Sequence, residues 1–204
     1  MKLRIFAVTA VLAGPAIAQD DALYAPAPDP NLSYVRVIDP GSAGVTVGSE
    51  VVSGDDGGVS PYVGIDAAEI AVRSDNIETV LDVEPATYYT LVGGDDGEVR
   101  VITDTITNSP AKADLAFYNN TDLTDVAIFV PQAEAEAMSG VGAQSSQSVS
   151  LNAPLMLDFE LRAGGETVAT VSQVDLRRGE GVSVVLTGTE GAYEASVTNN
   201  SFAY

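Results

Sequence analysis

Met156-Leu157-Asp158-Phe159-Glu160-Leu161-Arg162 decides the fold class. Leu157, Phe159 and Leu161 fall on one side of an extended chain and Asp158, Glu160 and Arg162 on the other, so the segment predicts a strand with one buried and one wet face. The same short alternating pattern recurs on both sides of it. Towards the C-terminus it covers residues 167–171, 182–187 and 193–197, and towards the N-terminus 113–118, 126–130 and 149–151. Beyond the polar break Thr107-Asn108-Ser109-Pro110, a second series occupies residues 34–38, 45–52, 59–63, 69–73, 78–83, 87–92 and 98–103. Runs of this length with Gly, Asp, Asn and Pro between them predict an all-β protein of two small β-sandwich domains in tandem, Ig-like or jelly-roll-like. Residues 32–106 form the expected N-terminal sandwich, 107–112 a linker and 113–204 the C-terminal sandwich. Residues 81–93 and 176–188 have equal length, and each passes through a turn into an alternating strand ending Leu-x-Gly, a weak internal repeat. Only residues 132–138, rich in Ala and Glu, read as helix, and the Gly, Ser and Gln-rich stretch to Gln147 reads as a mobile loop.

The chain opens with a positive region (Lys2, Arg4), an apolar one over residues 5–12, and Ala16-Ile17-Ala18, the three parts of a secretory signal peptide. A membrane anchor would need about 20 uninterrupted apolar residues, and Gly14, Pro15, Asp20 and Asp21 interrupt the stretch. Residues 1–18 are therefore an expected signal peptide cleaved after Ala18, which sends the mature chain, with no membrane span, outside the cytoplasm. Residues 19–31, with Pro26, Pro28 and Pro30 at alternate positions, form an extended leader.

Chemistry is constrained by what is missing. The sequence holds no Cys and no His, which removes thiol catalysis, a Ser-His-Asp triad and the common zinc ligand sets. Ser109-Pro110-Ala111-Lys112 spells S-x-x-K, but that motif needs serine and lysine on one helical face, and the residues after Pro110 alternate as a strand. Asp55-Asp56-Gly57 and Asp95-Asp96-Gly97 are acidic turns where calcium could bind; Asp-Gly is equally a common hairpin turn. Tyr88 and Tyr89 are adjacent in a strand, so one ring points to the core and one away, while Tyr62 after Pro61 reads as a strand-end packing residue. Asn119-Asn120-Thr121 and Asn199-Asn200-Ser201 read as polar turns. No catalytic, cofactor-binding or metal-binding residue is assigned. The 29 acidic residues against 9 basic ones give a net charge of −20, a surface that repels nucleic acid, anionic lipid and polyanionic polymers.

Several segments together resemble the AlgF family of alginate O-acetylation accessory proteins. They are Ala22-Leu23-Tyr24-Ala25-Pro26, Tyr34-Val35-Arg36-Val37, Tyr88-Tyr89-Thr90-Leu91-Val92, residues 113–119, and Leu176-Arg177-Arg178-Gly179-Glu180-Gly181 onward to Gly188. The resemblance implies a periplasmic protein of two β-sandwich domains that is not itself an enzyme and needs no cofactor. It would act as an adaptor beside periplasmic or membrane polysaccharide O-acetylation proteins. The competing expectation is a secreted acidic surface or matrix module that binds sugar or calcium. The family's pattern supplies no catalytic motif, and the acidic surface departs from what direct capture of alginate would ask.

Overall fold

A computed structural model describes residues 28–39, 44–53, 58–66, 68–75, 77–93, 99–107 and 109–203. The expected signal peptide, most of the leader and both acidic turns at 55–57 and 95–97 lie outside these residues.

The N-terminal strands are β1 (Ser33–Ile38), β2 (Val45–Val47), β3 (Glu50–Val52), β4 (Tyr62–Ile65), β5 (Glu69–Ser74), β6 (Glu78–Asp82), β7 (Tyr88–Gly93) and β8 (Val99–Asp104). The C-terminal strands are β9 (Lys112–Asn119), β10 (Val126–Val130), β11 (Ala135–Val141), β12 (Ser145–Asn152), β13 (Leu155–Ala163), β14 (Glu166–Leu176), β15 (Gly181–Thr189), β16 (Ala192–Asn199) and β17 (Phe202–Ala203). They make four sheets, ordered β17-β4-β1-β7-β8, β3-β2-β5-β6, β12-β9-β15-β16 and β11-β10-β13-β14. The first two enclose a core of Val35, Val37, Val63, Val72, Tyr89 and Leu91, the last two a larger one around Leu115, Phe117, Ile128, Phe159, Leu161 and Val184. The protein is thus all-β, with two sandwiches in tandem.

Both sandwiches share one plan. Raising each strand number by eight turns β4-β1-β7-β8 into β12-β9-β15-β16 and β3-β2-β5-β6 into β11-β10-β13-β14, and in each the first strand runs parallel to the seventh. The short likeness between residues 81–93 and 176–188 is the sequence trace of this repeat. The extra strand, β17, pairs in parallel with β4, Phe202 opposite Tyr62, so the chain's last strand sits in the N-terminal sheet although residues 113–204 were expected to stay together. The pull is aromatic: Phe202 stacks on Tyr62 at 5.5 Å and meets Tyr34 edge-on at 5.2 Å.

Two local expectations are corrected. Residues 132–138 are not a helix: a single 3-10 turn, Pro131–Ala133, ends at Glu134 in the left-handed region (φ 49°), and β11 follows. Glu134 breaks the helical path, and pairing with β10 (Val130↔Ala135, Ile128↔Met138) satisfies the backbone instead. The Ser-rich residues from 145 are not a loop but β12, matched residue for residue to β9 from Ser145↔Asn119 to Asn152↔Lys112.

Candidate functional site

Every residue of β1 is buried, which alternation in a single sandwich cannot produce. Val35 and Val37 face their own core, so Tyr34, Arg36 and Ile38 point out of the sandwich, and another surface must cover them. For Arg36 and Ile38 that surface is the outer face of the β12-β9-β15-β16 sheet, while Tyr34 is covered by Tyr88 and Phe202. Ile38, Val59 and Val92 of one sandwich pack with Ala116, Tyr118 and Val185 of the other, with Ile102 at the margin.

Within this contact lies the most densely hydrogen-bonded polar cluster among the described residues, centred on Arg36, which is 1% exposed. Its Nε donates to Thr90 Oγ1 (2.9 Å), Nη1 to Asn200 Oδ1 (2.8 Å), and Nη2 to Tyr118 Oη (2.7 Å) and Ser183 Oγ (2.9 Å). The guanidinium carbon lies 4.3 Å from the Tyr62 ring centre, in cation–π contact. The counter-charge is Asp104 at the end of β8. Its carboxylate accepts from Tyr118 Oη (2.5 Å) and Thr90 Oγ1 (2.5 Å) and from Tyr62 Oη (2.8 Å). Arg36 and Asp104 are thus joined through hydroxyls that accept from the cation and donate to the anion. Ser183 Oγ donates its hydrogen bond to Asn200 Oδ1 at 2.8 Å.

Burial is the main force on the two phenols. It pushes Tyr118 up to about 12, with Asp104 adding to the rise and Arg36 opposing it, and it raises Tyr62 in the same way. Both hydroxyls therefore stay protonated as donors. Burial also opposes the charge on Arg36, but the adjoining Tyr118, Tyr62 and Asp104 more than offset it, and its pKa rises. Nearby, Arg100 of β8 donates to Asn120 Oδ1 (3.0 Å) and to Gln144 Oε1, a second polar tie between the sandwiches.

The cluster's hydroxyls are all engaged: Tyr62, Tyr118 and Thr90 donate to Asp104, and Ser183 donates to Asn200. A buried guanidinium bridging two sheets costs desolvation, and its network is satisfied in one relative placement of the two sandwiches.

Other residues singled out in the sequence fall elsewhere. Ser109 and Lys112 bracket a tight turn, Lys112 N–H donating to Ser109 O at 3.3 Å, and Lys112 opens β9 rather than a helix. Tyr89 is the core ring of the pair and Tyr88 the outward one, stacked on Tyr34 at 5.0 Å. Tyr62 is fully buried against Arg36, more than a strand-end residue. Asn119 is also fully buried: its Nδ2 donates to Leu123 O and Gly142 O (both 2.8 Å), and its Oδ1 accepts from Thr121 Oγ1 (2.6 Å). Asn200 belongs to the Arg36 cluster. Sequence reading passed over Arg36, Asp104, Tyr118 and Ser183. No local signal marks them, because an arginine between valines reads as the wet face of an alternating strand.

Comparison with known proteins bears on identity. The family described as "Alginate O-acetyl transferase AlgF" matches residues 7–183. A curated relative, "Alginate biosynthesis protein AlgF" of Pseudomonas aeruginosa, is 24% identical over 184 residues, spanning 89% of this chain and 84% of the relative. Among solved structures, the C-terminal domain of AlgF from P. aeruginosa matches 44% of this chain and 99% of its own length, with 23% identity and a TM-score of 0.40. A family 26 carbohydrate-binding module from Eubacterium rectale Amy13K, in complex with maltoheptaose, matches 85% of this chain and 98% of its own length, with 7% identity and a TM-score of 0.28. Neither structural likeness is close enough to carry an argument about function. The family match runs over most of the chain, from the expected signal region into β15, and on that ground the chain belongs to the AlgF family.

Proposed function

We propose that this protein is a non-catalytic accessory component in the O-acetylation of an alginate-like exopolysaccharide, acting in the periplasm as an adaptor for partner acetyltransferases. Membership of the AlgF family supports the pathway. The observation that carries the adaptor reading is the Arg36 cluster. The buried Arg36 charge and the hydroxyls of Tyr62 and Tyr118 are engaged in one network between the two sandwiches, the arrangement a presenting scaffold needs. A sequence without His or Cys also lacks the usual base and thiol for acyl transfer. The domain division at residues 107–112, the export signal and the periplasmic location are parts of the same proposal. Direct grip on a polyuronate is disfavoured by the net charge of −20.

The test is a pull-down from periplasmic extract with the tagged mature chain, together with an acetyl-transfer assay on the purified chain. Co-elution of an acetyltransferase, with no transfer by the chain alone, is the expected result. Acetyl transfer to polymer by the purified chain would overturn the adaptor reading.

A further inference from the structure

The few cations of this acidic chain are not spread evenly in what they do. Arg36 is buried in the cluster between the sandwiches, and Arg100 donates to Asn120 and Gln144 beside it. Arg73 is paired with Glu78, and Arg162 with Glu160 while lying over the Phe129 ring at 3.4 Å. Among the described residues, the exposed cations in no ion pair are Lys112 and Arg178.

These two lie at the same end of the C-terminal sandwich. Lys112 O accepts from Gly179 N–H at 2.8 Å, which places the start of β9 against the turn that carries Arg178. Arg178 Nε donates to Ala153 O at 2.8 Å, which fixes that turn to the loop between β12 and β13. Arg177 on the same turn is paired with Asp175 and lies in the field of Glu180, so it brings no unpaired charge, and the unpaired cations of this end are Lys112 and Arg178. The loop leads directly into two exposed large apolar side chains, Leu155 (45% exposed) and Met156 (61%), and Leu155 is paired with Leu176, next to Arg177. Unpaired positive charge and exposed apolar surface thus coincide at one end of a strongly acidic protein.

We propose that this end of the C-terminal sandwich, formed by Lys112, Arg178, Leu155 and Met156, docks a partner protein through a segment carrying carboxylates beside an apolar side chain. The inference rests on the adaptor reading and names its surface. Charge complementarity selects the partner: Lys112 and Arg178 are in no ion pair, and a carboxylate-bearing segment supplies a counter-ion while its apolar neighbour covers Leu155 and Met156. A broad anionic membrane would meet the surrounding acidic surface as well, and a sugar polymer would find aliphatic chains here in place of an aromatic platform. A narrow protein segment avoids both penalties.

The test places a photo-crosslinking amino acid at position 156, and for control at Val80, an exposed apolar position on the N-terminal sandwich (60% exposed). Crosslinking is carried out in periplasmic extract and the crosslinked site is mapped by mass spectrometry. The expected result is a protein segment with Asp or Glu flanking an apolar residue, joined to position 156 and not to position 80. Capture should fall about tenfold in a Lys112→Glu/Arg178→Glu chain, the scale of reversing two surface charges, and should weaken with added salt. Arg73→Glu, an exposed charge change on the other sandwich, should leave capture unchanged. If the wild-type chain captures a protein but the double variant captures as much, or the crosslink maps to a segment without acids, this surface is refuted while the adaptor reading stands. Crosslinks to lipid or saccharide alone refute the proposed partner class. If no protein is captured from any position, both readings fail.

Discussion

Replacing Arg36 by Met isolates the contribution of the charge between the sandwiches. The substitution keeps a chain of similar length along the Tyr62 ring but removes four hydrogen bonds, to Thr90, Asn200, Tyr118 and Ser183. It also leaves the Asp104 carboxylate, with its three hydroxyl donors, without a nearby positive charge. Breaking one partner of a buried pair costs about 3–5 kcal/mol. In a protein of this size each kcal/mol lowers Tm by roughly 2–4 °C, so the fall should be on the order of 6–20 °C. Arg36 projects from the outer face of its sheet, so the loss falls on the docking of the sandwiches and not on either apolar core. The assay is thermal and urea unfolding followed by calorimetry and tyrosine fluorescence. Wild type should unfold in one cooperative transition, and Arg36→Met should show an earlier or split one. Adding Asp104→Asn should restore part of the loss, because the stranded charge is then removed as well. A single variant within about 1 kcal/mol of wild type, with cooperativity intact, would refute the reasoning that Arg36 and Asp104 lock the two halves.

The other predictions concern the same contact and the turns that frame it. Burial raises the Tyr118 hydroxyl from its ordinary value near 10 to about 12, so the unfolded chain gives up this proton first as pH climbs. The stability it contributes is complete below pH 10 and is lost between about pH 10 and pH 12, amounting to about 3 kcal/mol; in an absorbance titration the tyrosinate signal should rise over the range in which stability falls, and Tyr118→Phe should remove this part of the pH slope. Phe202→Ala removes a half-buried ring from between Tyr34 and Tyr62 and should cost about 2 kcal/mol. It should also speed hydrogen exchange at the Tyr62 amide, which bonds Ser201 O at 2.8 Å. Asn119→Ala leaves the Leu123 and Gly142 carbonyls and the Thr121 hydroxyl short of partners and should cost about 2–3 kcal/mol by denaturant unfolding.

The strands were legible in the sequence where one face is buried and the other wet, because a period of two then survives in the letters. Residues 157–161 show this: Phe159 and Leu161 are fully buried, while Asp158 and Glu160 on the opposite face are not. β11 was hidden because Ala and Glu are strong helix formers, and only its pairing with β10 and the left-handed Glu134 override that preference. β12 was half hidden because its serines lack apolar character; its register comes from β9. The Arg36 cluster was illegible for a different reason. An arginine between valines, Val35 and Val37, reads as the solvent-facing member of an alternating strand, and nothing local reports that a second sandwich covers that face. Its partners come from strands far apart in sequence, Asp104 on β8, Tyr118 on β9 and Ser183 on β15. The family resemblance reached the pathway from the order of weak motifs, while the contact that joins the halves needed three dimensions.

The most direct measurement is the acetyl content of the exopolysaccharide made by cells lacking this chain, with and without complementation, set beside the acetyl-transfer activity of the purified chain. The adaptor account predicts polymer without acetyl groups in the deletion strain, recovery with the wild-type chain, and no transfer by the purified chain alone. Normal acetylation in the deletion strain, or acetyl transfer by the isolated protein, would contradict it.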